Sequence, residues 1–341
     1  LPRSEPSIGI RDGALVIAAQ TAPEPILNFR HDGADIAATP DLLIREPDVL
    51  TDFTEYNELL ARHEWLWQAG SHRLQIVTAA GEQTLSITSR QLIQLPFPYW
   101  FQLICGYVGA LAGALVLASR PSIASALYAI TGFCLALAAG SAAIYSTRDF
   151  LIRPELWHSL KTINYAGTVG FSAALASLLW VYPLQLARPA IIITLCFGAA
   201  AASVASLHYQ WVSGPSQIYV HTLGLYVLSV LFAALQWRKT RRAPMQRAIL
   251  RWLLLSIFVA TGLFAALAMI PAALGLSHML PQEYLFAVFL IMFLGLALGI
   301  TRYQLFDVER WWITIWSWVL GGLCVIALDV FLVSQFALSR H

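Results

Sequence analysis

Charge is what this sequence lacks most. Asp, Glu, Lys and Arg make up 12% of its 341 residues while hydrophobic residues make up 58%, against the roughly 25% charge usual in soluble domains. The shortage is uneven. Residues 1–96 hold 7 basic and 13 acidic groups, which leaves 14 basic and 6 acidic for everything beyond them. Two different solvents are implied, with the change near Leu95-Pro96-Phe97-Pro98.

Cysteine is scarce as well. Cys105, Cys134, Cys196 and Cys324 all fall beyond that boundary in apolar stretches, so none can staple the N-terminal region. No CxxC-type spacing offers a metal site. They read as small apolar packing residues. HExxH, GxSxG and paired intramembrane Asp are also missing, so the common intramembrane hydrolase chemistries find no residues here, and no cofactor is implied. No internal repeat of the kind that builds secondary transporters is visible. The first residue is Leu1, and an exported N-terminal domain is expected to carry a processed leader.

What is present is a series of apolar stretches of about 20 residues, the length that crosses a ~30 Å hydrocarbon core. The pattern predicts eight, at about 98–119, 122–146, 163–183, 189–207, 217–236, 250–270, 284–301 and 313–336. Arg120-Pro121, the polar run 147–162, Arg188-Pro189, Ser213-Gly-Pro-Ser216, the basic run 238–251 and Pro281-Gln-Glu283 separate them. Orientation follows from Lys and Arg in the short loops. With residues 1–96 outside, ten lie within (Arg120, Arg188, six in 238–251, Arg302 and Arg310) and four without (Arg148, Arg153, Lys161 and Arg340). The cluster Arg238-Lys-Thr-Arg-Arg242 reads as topology and contact with anionic membrane lipid; so short a membrane loop does not suit nucleic acid.

Residues 1–96 are expected to form an extracytoplasmic α+β domain. Leu15–Ala19 is a short apolar run, and Asp52-Phe-Thr-Glu55 has capping-box spacing before Phe53, Tyr56, Leu60 and Trp67, which recur at helical spacing. Residues 73–79 and 83–89 read as two strands around Ala80-Gly-Glu82, a hairpin turn. That order of strand, helix and terminal hairpin resembles the degenerate PDZ-like domains outside the membrane in some bacterial sensor kinases.

The most specific stretch is Arg302-Tyr-Gln-Leu-Phe-Asp-Val308. It is similar to the "RY-x-LFD-[IV]" signature of bacterial multi-span sensor histidine kinases. In that family an external domain leads into a Phe- and Trp-rich first span, as Pro98-Tyr-Trp-Phe101 does here, and that span often ends in Arg-Pro, as Arg120-Pro121 does. The resemblance implies a membrane signal receptor, working as a homodimer, whose cytoplasmic kinase half phosphorylates a response regulator. Phosphoacceptor and ATP-binding segments are not found here, so the chain is expected to be the sensor half. The expected location is the bacterial cytoplasmic (inner) membrane. The alternative is a secondary transporter or a subunit of a membrane complex.

Signal coupling is expected from Arg302, Tyr303, Leu305, Phe306, Asp307 and Arg310, between the last two spans on the inner side. An external ligand of unidentified chemistry is expected over a polar floor. Ionisable groups in hydrocarbon are costly and usually functional, and His221 and Asp329 lie at similar depths below the outer end of their spans, close enough to pair. His208, Trp211, Tyr145, Asn164, His278 and Tyr284 sit at outward ends and could line the same cavity. Small residues at four-residue spacing, Gly109/Gly113, Gly198/Ala202/Ser206 and Gly295/Gly299, read first as helix-packing features and second as dimer faces.

Overall fold

The structure is a computed structural model that describes residues 2–11, 14–17, 24–70, 74–274, 282–293 and 295. The N-terminal region is α+β. Five antiparallel strands run in the order β1 (Pro2–Glu5), β7 (Gly81–Ser89), β6 (Leu74–Thr78), β4 (Ile26–His31) and β5 (Ala34–Ala37), and β2 (Ile8–Arg11) pairs with β3 (Ala14–Ile17) beside them. The expected hairpin is β6–β7, in register from Leu74↔Leu85 to Thr78↔Gly81. The segment between β3 and the helix holds a second hairpin: Asp32 and Gly33 both take positive φ, 48° and 79°, as a two-residue turn between twisted strands requires. Alternation places Phe29, Leu74, Ile76 and Leu85 on the buried face.

Helix α1 (Phe53–Gly70) packs on that face through Tyr56, Leu59, His63 and Leu66. It starts where the capping spacing places it, with the Thr54 amide donating to Asp52 Oδ1 at 2.7 Å, which satisfies one of the helix's open N–H groups.

Beyond Pro96 the chain is helical: α2 (Phe97–Ser119), α3 (Ile123–Ser146), α4 (Pro154–Val181), α5 (Pro189–His208), α6 (Gln217–Lys239) and α7 (Pro244–Phe264). A π-helical turn, Ala265–Met269, carries α7 into α8 (Ile270–Ala273). After it comes α9 (Gln282–Leu285), the start of a shorter apolar helix, Glu283–Phe293. Proline in the first turn opens α2, α4, α5 and α7, where its missing N–H costs nothing. Ser122 and Ser125 cap α3 reciprocally. Helix α3 lies between α2 and α4, and glycine sets the approach: a Cβ on Gly132 would stand 2.1 Å from the Gly109 carbonyl oxygen. The spacing Gly109/Gly113 is therefore a packing feature of α2 against α3, while Gly198 on α5 has nothing within 4 Å.

Among the described residues five helices are long and apolar enough to cross a membrane: α2, α3, α5, α6 and α7 with their end turns. Helix α4 falls outside that set. The expected span at 163–183 begins earlier, at Pro154, and its first turns carry Glu155, Lys161 and Asn164. Glu155 and Lys161 read as loop because they fall in the polar run 147–162; they are helical because Pro154 and Glu155 favour a helix start and because Trp157 and Lys161 are buried. Residues 313–336 lie outside the described residues, as does Cys324; Cys105, Cys134 and Cys196 are free and buried.

Candidate functional site

The connections α3–α4 and α5–α6 both meet the N-terminal domain. Phe150 stacks on Phe29 with ring centroids 4.9 Å apart, so the α3–α4 connection enters the domain core. Asp149 accepts from the amide and hydroxyl of Ser4 at 2.8 and 3.0 Å. In the α5–α6 connection the Phe53 amide donates to the Ser213 carbonyl at 3.1 Å, and the Ser216 amide to the Leu50 carbonyl at 3.0 Å. Asn57 and Gln210 exchange two amide hydrogen bonds, 2.9 and 3.0 Å. Successive helices alternate in direction, so the basic 238–242 turn lies at the end of the bundle away from this domain.

Two cations sit inside this seam. Arg148 donates to the carbonyls of Ile44, Arg45 and Tyr145 and lies 4.3 Å from the centre of the Trp157 ring, a cation–π distance. Burial, with Arg45 nearby, pushes its guanidinium down to about 9, which leaves it charged at neutral pH. Lys161 Nζ has no hydrogen-bond partner among the described residues. It faces the rings of Tyr56, Phe53 and Tyr165 at 4.0, 5.3 and 5.9 Å, and burial pushes its ammonium down to about 8. The sequence presents both as loop cations on the outer side. Packing makes them cores of the joint between domain and bundle: Phe53 and Tyr56 of α1, about a hundred residues away in the chain, shield Lys161, and the carbonyls of Ile44 and Arg45, equally distant, hold Arg148.

His63 on α1 completes the seam, its ring edge-on to Trp157 at 5.2 Å. Burial, reinforced by Arg148 and Arg62, pushes it down to about 3. Between that value and 6.5 the unfolded chain binds a proton that the folded chain does not, so stability rises with pH across the window and is lost as pH falls from 6.5. We expect His63→Leu to flatten that acid limb. Melting temperatures of both proteins from pH 7 to 4 check this; parallel curves would assign the acid loss to another group.

Below the seam a cavity opens between α3, α4, α6, α7 and the Glu283–Phe293 helix, with about 70 Å³ open to the centres of water molecules. Its roof is Asp48, carried by the short 3-10 turn Pro47–Val49 of the N-terminal domain and only 4% exposed. Tyr219 on α6 donates its hydroxyl to Asp48 Oδ2. Asn164, Thr168 and Ser172 line the α4 wall, Thr222 and Tyr226 the α6 wall, and Phe264, just before the π-helical turn of α7, and Met269, its last residue, the far wall.

Of the residues expected to line a polar floor, Asn164 lines this cavity, donating to the Ala138 carbonyl at 2.9 Å. Tyr145 is buried and is not among the residues that line it. His221 does not line it: Ile218, Tyr219, Thr222 and Tyr226 form the α6 face that does, and position 221 turns away from that face. His208 caps the end of α5 against Thr162 at 3.2 Å and His158, with ring centroids 5.0 Å apart. Trp211 is exposed and stacks on Tyr209, and Tyr284 is exposed beside Phe101; interfacial aromatics behave this way. Asp329, His278 and the coupling residues Arg302, Tyr303, Leu305, Phe306, Asp307 and Arg310 lie outside the described residues.

Sequence reading missed Asp48 and Tyr219. Asp48 sits in a charged domain where carboxylates are common, and nothing local marks the one that is buried. The spacing of Tyr219, Thr222 and Tyr226 does place three hydroxyls on one helix face, which was a usable signal.

No family model, no curated protein and no solved structure matches this chain. Its class therefore follows from its own geometry. It is a bundle of apolar helices, five of them of membrane-crossing length and composition, closed at one end by a docked α+β domain.

Proposed function

We propose that the chain is the sensor region of a bacterial two-component histidine kinase: a receptor in the cytoplasmic membrane, with residues 1–96 outside, the 238–251 run inside and eight spans in all. One observation carries this reading. The cavity has its roof in the outer domain and its far wall at the π-helical turn of α7, so an occupant touches both parts at once. Single π-helical turns inside α-helices are frequent at functional sites. A change there moves the C-terminal part of α7 and the helix that leads into the 302–310 segment, the segment similar to the kinase signature. The PDZ-like likeness of the outer domain rests on its element order alone; its Lys161 and Arg148 contacts suit a domain whose work is docking. The homodimer and the response regulator come with the family resemblance.

In the protein translated from the whole gene, Phe306→Ala and Asp307→Ala are expected to change autophosphorylation at least about threefold without lowering the amount of protein in the membrane. Phosphorylation equal to wild type in both variants would remove the coupling role, and a gene without a kinase domain would sink the histidine-kinase reading.

A further inference from the structure

Two histidines about fifty residues apart in the chain meet where the bundle faces the N-terminal domain. His158 lies in the second turn of α4 and His208 ends α5. Their ring centres stand 5.0 Å apart at 57°, so the faces are not stacked. A hydroxyl meets each Nδ1. The Thr162 hydroxyl donates to the His158 carbonyl at 3.0 Å, which leaves its oxygen to accept the Nδ1–H of His208 at 3.2 Å. The Tyr56 hydroxyl lies 3.5 Å from His158 Nδ1 and takes that N–H when the other ring nitrogen is occupied. Tyr209 steadies the His208 ring edge-on at 5.0 Å.

Both Nε2 atoms are left over. Neither has a hydrogen-bond partner among the described residues, and neither is buried. A proton on Nδ1 held by an oxygen, with a bare lone pair on Nε2, is the state in which an imidazole binds a metal ion. Burial, with Lys161 and His208, keeps His158 below the ordinary imidazole range, so its ring is neutral at pH 7. With metal–nitrogen bonds of about 2.0–2.1 Å at tetrahedral angles, two imidazole centres stand about 5 Å apart, the separation found here. Among the described residues no third His, Cys, Asp or Glu joins the pair, so the remaining positions fall to water. The Lys161 charge that His158 feels opposes a dication, which favours the ions that bond imidazole most strongly, Cu²⁺ ahead of Ni²⁺ and Zn²⁺.

We propose that His158 and His208 bind a divalent transition-metal ion between them through their Nε2 atoms, Cu²⁺ most tightly. The ion links the second turn of α4 to the end of α5, and Thr162 is the positioning residue that fixes the His208 tautomer. This site goes beyond the receptor reading and does not rest on it.

The test takes the full chain without an affinity tag, in detergent and stripped of metal, and titrates it with Cu²⁺, Zn²⁺ and Mg²⁺ by calorimetry. Pulsed EPR of the Cu²⁺ form counts the bound imidazoles. One equivalent of Cu²⁺ is expected to bind with two imidazoles, at least about tenfold more tightly than Zn²⁺, while Mg²⁺, which prefers oxygen ligands, gives no heat. His158→Gln and His208→Gln should each weaken Cu²⁺ at least about a hundredfold and abolish the two-imidazole signal. Thr162→Val should keep both imidazoles and weaken Cu²⁺ about tenfold, at the lower end of what losing a ligand's hydrogen-bond partner costs. Should a histidine variant fail to fold, the imidazole count in the native chain and the Thr162→Val affinity still decide. Fewer than two imidazoles in the native chain, or Cu²⁺ binding unchanged in either histidine variant, means an adventitious ion only and overturns the proposal. Native affinity in Thr162→Val overturns it as well, since the tautomer would then not be set by this hydroxyl.

Discussion

Trp157→Ala is expected to lower the stability of the junction between domain and bundle by about 3–5 kcal/mol, the range for deleting a large buried aromatic side chain. Trp157 is fully buried in the first turn of α4, and three groups meet on its ring. Arg148 lies over the face at 4.3 Å, His63 stands edge-on at 5.2 Å and Tyr56 at 6.4 Å. Tyr56 and His63 belong to α1, so the indole is the wedge between the N-terminal domain and α4. Truncation leaves a cavity and removes the ring that shields the Arg148 guanidinium, which must then find water or lose its carbonyls. Protease digestion of the protein in detergent should show the N-terminal domain released at a temperature several degrees below wild type, with the helices still folded by circular dichroism. Trp157→Phe should recover much of the loss. Release at the wild-type temperature would mean that the domain is held elsewhere.

The second large effect is expected at Gly214. A Cβ there would stand 1.9 Å from the Thr51 carbonyl oxygen and 2.7 Å from the Asp52 nitrogen, both backbone atoms that cannot swing aside. The contact is flanked by the two hydrogen bonds that tie the α5–α6 connection to the start of α1, Phe53 to Ser213 and Leu50 to Ser216. Gly214→Val must force these backbones apart. At about 1 kcal/mol for each bond lost and 1–3 kcal/mol for any group left buried without a partner, the cost is about 2–5 kcal/mol. Amide hydrogen exchange should quicken at least about tenfold at Phe53 and Ser216, with α3 unaffected. Exchange as slow as wild type would show that the loop accommodates the side chain, and the close approach would lose its importance. Gly214 is not in the positive-φ region, so the penalty is one of contact and not of backbone conformation.

Both sites belong to the seam, and the seam was the least legible part of the sequence. Trp157, Arg148 and Lys161 sit in a stretch whose polarity reads as an outer loop, and Lys and Arg there count toward topology. Trp157 and Lys161 are buried against rings of α1 and Arg148 against the carbonyls of Ile44 and Arg45, none of which a local pattern connects to them. The hairpin β4–β5 was missed for a different reason. Asp32-Gly33 is a strong turn signal, but Ile26–His31 and Ala34–Ala37 are too short and too polar to stand out until β6 pairs with β4.

What the sequence determined by itself follows from solvent. A fall in charge after Pro96 marks where the chain leaves water, runs of about 20 apolar residues mark helices, proline and serine mark where those helices start, and Asp52 marks the start of α1. Each of these is a local matter of transfer energy or of an open backbone N–H. The tertiary structure decided the rest: that α4 begins at Pro154 with its lysine buried, that Asp48 leaves the surface of its domain to roof a cavity, and that Thr222 faces that cavity while His221 does not. Those outcomes depend on which distant surfaces meet. Burying a polar or charged side chain costs least where a partner from elsewhere in the chain, a carbonyl, a ring face or a hydroxyl, offsets the loss of water.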